Sequence, residues 1–171
     1  SEPQAVIESV VIFLLFGAIG RVIVVTTKNH IETVPLQLKL FFLAYVLRFG
    51  FSFLLYGLGF ADLLGDYDSV GWRAGWLMSQ SWGLEGLTIF DLPGQWSEAF
   101  TGNHRGYYYV SATMFYLTNS DSRLVMAVLN CFVGALTVVL AYRVARTLFS
   151  DTVAARVGWW SCVFPSMIIW S

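Results

Sequence analysis

Two aspartates separated by one residue, in Gly65-Asp66-Tyr67-Asp68-Ser69, are the side chains of this sequence best suited to chemistry. Carboxylates at this spacing offer hard oxygen ligands to a divalent cation such as Mg or Mn. Alternatively, one of them takes a proton from an attacking hydroxyl as a general base. Aspartate is also a favoured helix N-cap, and its charge suits the positive end of a helix. The two roles are compatible, because such a helix end keeps a carboxylate ionised. A second cluster, Asn103-His104-Arg105-Gly106-Tyr107, sets an imidazole able to relay protons beside a guanidinium fork that fits a phosphate. An Arg and a Tyr next to a membrane-lying helix serve equally as interfacial anchors. Arg73 is placed either to meet a phosphate or to pair with Asp66, seven residues earlier on the same helical face.

These residues must be held by a membrane scaffold. The chain has 171 residues, 57% hydrophobic and 12% charged, whereas a soluble domain carries about 25% charged residues. Aromatics reach 17%, with 7 Trp, which suits helices whose rings sit at lipid headgroups or pack between helices. The net charge of −1 and the lack of a basic stripe exclude a nucleic-acid partner. Hydrolase-elbow, zinc-protease, P-loop and dinucleotide signatures are all missing from the sequence. Cys131 and Cys162 lie in apolar runs and read as small packing residues.

Four apolar runs predict an all-α polytopic membrane protein with about four transmembrane helices. The first, Ala5 to Thr26, covers about 33 Å as a helix, enough for the hydrocarbon core. A polar break from Lys28 to Leu38, containing Pro35, precedes the second run, Lys39 to Ala61. Arg48 interrupts that run, and its insertion cost of about 2.5–3.5 kcal/mol predicts that it faces protein or water rather than lipid. Leu124 to Tyr142 and Val153 to Ser171 supply the third and fourth spans, and the last run ends without flanking charge, as though the natural chain continues.

The segment from about 63 to 122 carries Asp66, Asp68, Glu85, Asp91, Glu98 and Asp121 against Arg73 and Arg105. The connections around Lys28 and Lys39, and around Arg143, Arg146 and Arg156, are basic. Short basic connections stay in the cytoplasm, so the acidic segment is expected outside: in a bacterial inner membrane it faces the periplasm or exterior. Within it, Tyr67 to Trp82 reads as a surface helix with Val70, Ala74, Leu77 and Met78 on one apolar stripe, and Asp68, Trp72, Gly75 and Ser79 on another face. Gly106 to Leu117 is too short to span, at about 18 Å, and reads as a second helix lying at the outer surface.

The order of features resembles the N-terminal part of the GT-C type membrane glycosyltransferases, the family of dolichyl-phosphate-mannose protein mannosyltransferases and lipid A aminoarabinose transferases. Gly65-Asp66-Tyr67-Asp68-Ser69-Val70-Gly71-Trp72 is similar to the family's Gly-Asp-Ser-x-x-Tyr at the start of its first outer loop, with Asp68 on the acidic position. Asn103-His104-Arg105-Gly106-Tyr107-Tyr108-Tyr109 resembles the His-Pro-Pro-like turn and Tyr-rich helix that close that loop, without the prolines. The stretch from Arg123-Leu124 through Ala145-Arg146-Thr147-Leu148-Phe149 is similar to the family's Arg-led helix ending in Ala-Arg-x-Leu-Phe. The resemblance covers about residues 39–171 and leaves residues 1–38 as an added first helix with its cytoplasmic link. It implies sugar transfer from a polyprenyl-phosphate donor to an acceptor on the non-cytoplasmic side, with inversion. Asp68 would be the general base and Asp66 would assist or bind metal. Arg73, His104, Arg105 and Tyr107 would hold the donor phosphate. A non-catalytic subunit that keeps the same module and packs among other membrane subunits is the alternative, and gene length separates the two. A transporter fits less well, because no pair of discontinuous helices is evident.

Overall fold

The computed structural model of the protein describes residues 2–27, 31–58, 69–84 and 105–163. Among these residues there are six α-helices: α1 (Glu2–Thr26), α2 (Val34–Ser52), α3 (Ser69–Leu84), α4 (Arg105–Thr118), α5 (Arg123–Leu148) and α6 (Asp151–Val163). Three helical stretches, Gln4–Thr26, Val34–Tyr56 and Arg123–Leu148, are long and apolar enough to cross a membrane. The chain is therefore an all-helical membrane protein. Of the expected fourth span, α6 supplies the beginning, and residues 164–171 lie outside the described part.

Two span boundaries differ from the sequence expectation. α2 begins at Val34 rather than Lys39, after a short 3-10 turn over Ile31–Thr33. Pro35 falls in its first turn, where the N–H it lacks has no intrahelical partner to lose, so the proline starts the helix instead of breaking it. α5 continues past Tyr142 to Leu148, so Arg143 and Arg146 sit on its last two turns and not in a loop. Acceptors at the end of α1, around the start of α2 and at the start of α6 meet those arginines there.

The core lies where α5 is wrapped by α1, α2 and α6. Leu40, Phe41, Ala44 and Tyr45 of α2 pack on Cys131, Phe132, Ala135, Val138 and Tyr142 of α5, with Val24 of α1 and Ala154 and Cys162 of α6. Buried Leu124 to Val128 show that the start of α5 is enclosed on every side. α1, by contrast, turns Ile7, Val11, Leu14, Leu15 and Val22 outward, as a lipid-facing helix does. Gly20 lets α1 approach closely, because a Cβ there would run into the ring of Phe41.

Arg48 is fully buried. Its Nη1 donates to the Ala44 carbonyl at 3.2 Å and its Nη2 to the Ser161 carbonyl at 3.4 Å, so the guanidinium points into the protein, as its membrane cost predicts. Cys131 and Cys162 are both free and buried, with Cys131 Sγ 3.5 Å from Ser52 Oγ, in keeping with a packing role.

After Ser52 the helix widens into one π-helical stretch, Phe53–Gly57, closed by a bond from Leu58 N–H to the Phe53 carbonyl. α4 ends at Asn119, whose φ of 48° is a left-handed stop that asparagine tolerates. Ser122 then caps α5, its Oγ accepting from Leu124 N–H.

Candidate functional site

The acidic segment is framed by α3 and α4, which pack against one another. Gly75 sits against Ser111, where an added Cβ would come within 2.6 Å of the Ser111 Cβ. Met78, Trp82 and Ala112 form the buried centre of the pair. Trp76 meets Phe115 edge-on at 6.0 Å, and Trp82 lies against Tyr109 and Tyr116. The buried side of α3 therefore runs through Gly75, Met78, Ser79 and Trp82, while Leu77 is 44% exposed. Of the expected stripe Val70–Ala74–Leu77–Met78, Met78 is buried and Ala74 packs beside it, Leu77 instead turns outward, and the Val70 side chain lies outside the described residues. Small residues at 75 and 79 admit α4 closely, and the Ser79 hydroxyl buries without cost by donating to the Trp76 carbonyl at 2.6 Å.

α3 starts at Ser69, directly after Asp68, and α4 starts at Arg105, directly after His104. Both clusters singled out for chemistry thus adjoin the positive N-terminal end of a helix. Asp66, Asp68 and His104 lie outside the described residues, as does the Arg105 side chain. Arg73 is exposed on α3. Tyr107 is half-buried on α4, its ring edge-on to Tyr108 at 6.5 Å. The packing of α3 on α4 gathers the helices carrying Arg73 and Tyr107 into one unit. Among the described residues no group of three or more His, Cys, Asp and Glu side chains could hold a metal, and the two carboxylates proposed for a cation lie outside them. Trp82 is a core residue and Trp159 and Trp160 face outward on α6, which assigns these three indoles to packing and to the protein exterior.

A second polar assembly sits at the opposite end of the bundle and has no linear motif. Arg143 donates from Nε to Gln37 Oε1 at 2.8 Å, from Nη1 to Thr27 Oγ1 at 2.8 Å and from Nη2 to the Val24 carbonyl at 3.2 Å. Gln37 in turn donates to Thr33 Oγ1 at 2.9 Å. Arg146 reaches Thr33 Oγ1 at 3.2 Å and pairs with Asp151 at 2.7 Å. One connected set of hydrogen bonds therefore ties together the ends of α1 and α5 and the beginnings of α2 and α6. Its only trace in the sequence is Arg143 and Arg146 three apart, matched by Thr33 and Gln37 four apart. Arg143→Ala is expected to cost about 1.5–3 kcal/mol, the worth of a charge-assisted hydrogen bond. Lysine is expected not to restore it, because one ammonium cannot reproduce a planar fork aimed at three acceptors. Thermal unfolding in lipid nanodiscs measures both; a lysine variant as stable as wild type would contradict the clamp.

Charge is divided accordingly. Among the described residues the end around Arg143 carries Arg21, Lys39, Arg143, Arg146 and Arg156 against Glu32 and Asp151, whereas at the other end Glu8 and Asp121 stand against Arg123, with Arg73 on α3 and Arg105 at the start of α4.

No protein-family model matches the chain, and no curated protein or solved structure matches it.

Proposed function

We propose that the chain acts as a GT-C type membrane glycosyltransferase, moving a sugar from a polyprenyl-phosphate donor to an acceptor on the non-cytoplasmic face. The observation that carries this reading is the placement of α3 and α4. Two packed helices between the second and third spans start immediately after Asp68 and immediately after His104. In this reading the Asp68 carboxylate takes the proton of the acceptor hydroxyl as its oxygen attacks the anomeric carbon. The bond from that carbon to the phosphate oxygen breaks, the electron pair leaves with the lipid phosphate, and the configuration inverts. Arg73, His104, Arg105 and Tyr107 offset the charge that develops on the phosphate. A divalent cation held by Asp66 and Asp68, when bound, would add positive charge beside the same leaving group. The N-terminus of α3 favours the ionised form of the carboxylates before it, and that of α4 favours an anion such as the donor phosphate beside it. Arg48 turns inward within the chain, so it gives no support to the alternative of an accessory subunit.

The topology is tested by Ser69→Cys in intact cells with a membrane-impermeant maleimide. Labelling from the non-cytoplasmic side is expected. Labelling from the cytosol alone would end both the orientation and the transferase reading.

A further inference from the structure

We propose that the cleft between α2, the end of α5 and the start of α6 is a binding site for a phosphate anion. The cleft has a volume of about 370 Å³ and is lined by Thr33, Gln37, Arg143, Arg146, Thr147 and Asp151, with Tyr142 at its edge. At about 30 Å³ for each water in the liquid, it holds roughly a dozen waters, ample room for a phosphate group and its substituent.

Two guanidiniums and one carboxylate line this space, so the lining is net positive. Both are already fixed in place. Arg143 is held by three acceptors on α1 and α2, and Arg146 by Thr33 and Asp151. An anion arriving between them meets donors whose conformational entropy has been spent in folding, the condition under which binding is strongest. Arg146 keeps donors in reserve, since its Nη2 makes no hydrogen bond among the described residues. Its carboxylate partner is weakly held: the Asp151 side chain is 76% exposed and can turn to water, whereas that of Arg146 is 22% exposed. Guanidinium forks match the tetrahedral oxygens of a phosphate bidentately.

Depth favours the same ligand. α5 has 26 residues, about 39 Å of helix, which exceeds the roughly 30 Å hydrocarbon core. Centred on that core, α5 brings its final residues, with Arg146, to about the level at which lipid phosphates lie. The phosphate comes either from a lipid headgroup or from a free phosphate compound, and the chemistry of recognition is shared.

The test uses the full chain in nanodiscs, with thermal unfolding and lipid retention by native mass spectrometry as readouts. One arm compares phosphatidylglycerol with phosphatidylcholine. A second titrates inorganic phosphate against chloride at equal ionic strength in phosphatidylcholine discs. Stabilisation by phosphatidylglycerol alone identifies the headgroup as the source, and stabilisation by inorganic phosphate shows that the free anion suffices. Arg146→Gln is expected to weaken the response at least tenfold, while Arg156→Gln, the same loss of charge outside the cleft, retains it. The proposal is overturned by wild-type protein that responds to neither, or by equal losses in the two variants. Should Arg146→Gln fail to fold, the two wild-type comparisons decide: no response to phosphatidylglycerol over phosphatidylcholine and none to phosphate over chloride overturns the site.

Discussion

Asp68→Asn is expected to lower sugar transfer by about 10²–10⁴-fold, the usual contribution of a positioned general base. The amide keeps the size of the carboxylate and can still cap α3, which starts at the next residue. Helix content and thermal stability should therefore stay at wild-type values while the chemical step fails. This separates the two roles that the residue type allows, since a residue that only caps gives an active Asn variant. Asp66→Asn, by comparison, is expected to lose less, because in the proposed mechanism Asp66 assists and does not itself accept the proton. The measurement is single-turnover transfer from a radiolabelled polyprenyl-phosphate sugar in membranes holding the protein. Full activity of Asp68→Asn would remove the base assignment.

Alanine at two glycines of α1, less than one turn apart, should have effects of opposite sign. At Gly20 the added Cβ would run into the Phe41 ring, which is itself fully buried and edged by Phe42 and Phe132. A ring fixed on two sides cannot swing aside, so α1 must shift, and the expected loss is about 1–3 kcal/mol. At Gly17 the same Cβ would stop 3.5 Å from Tyr45 Cε1, ordinary contact distance. Removing a glycine from a helix interior there gains up to about 1 kcal/mol. Unfolding of both variants in the same nanodiscs tests the packing of the first two helices. Equal stability of the pair would show that α1 does not sit on Phe41.

The spans were legible because about twenty apolar residues in a row have few other fates, and the inward turn of Arg48 followed from what lipid would charge for it. That two further helices lie between the second and third spans was legible from the periodicity of 67–82 and from an apolar run, 106–117, too short to cross. Their contact face was not: hydropathy favours Leu77 over Gly75 and Ser79, whereas close helix approach favours small residues whose hydroxyls bond to their own backbone. The extent of α5 was misjudged for a related reason. Arg143 and Arg146 resemble loop charges to any local reading, because Gln37 and Thr33, which make them structural, lie more than 100 positions away. Pro35 resembled a break until its place in a first turn was known. Of the proposed transfer site the sequence offers residue types and spacing, and the structure adds the two helices whose starts adjoin them.

The unequal charge at the two ends of the bundle gives the molecule a preferred sense in an energised membrane. With a positive excess gathered around Arg143 and Arg146 and, among the described residues, none to match it at the end around Glu8 and Asp121, a voltage acts on the protein as on a compass needle. Each charge carried against 100 mV costs about 2.3 kcal/mol, several times thermal energy. A cell that maintains its potential thereby stabilises the orientation that keeps the arginine clamp on the electrically negative side, and collapse of the potential would withdraw that contribution while leaving every helix contact in place.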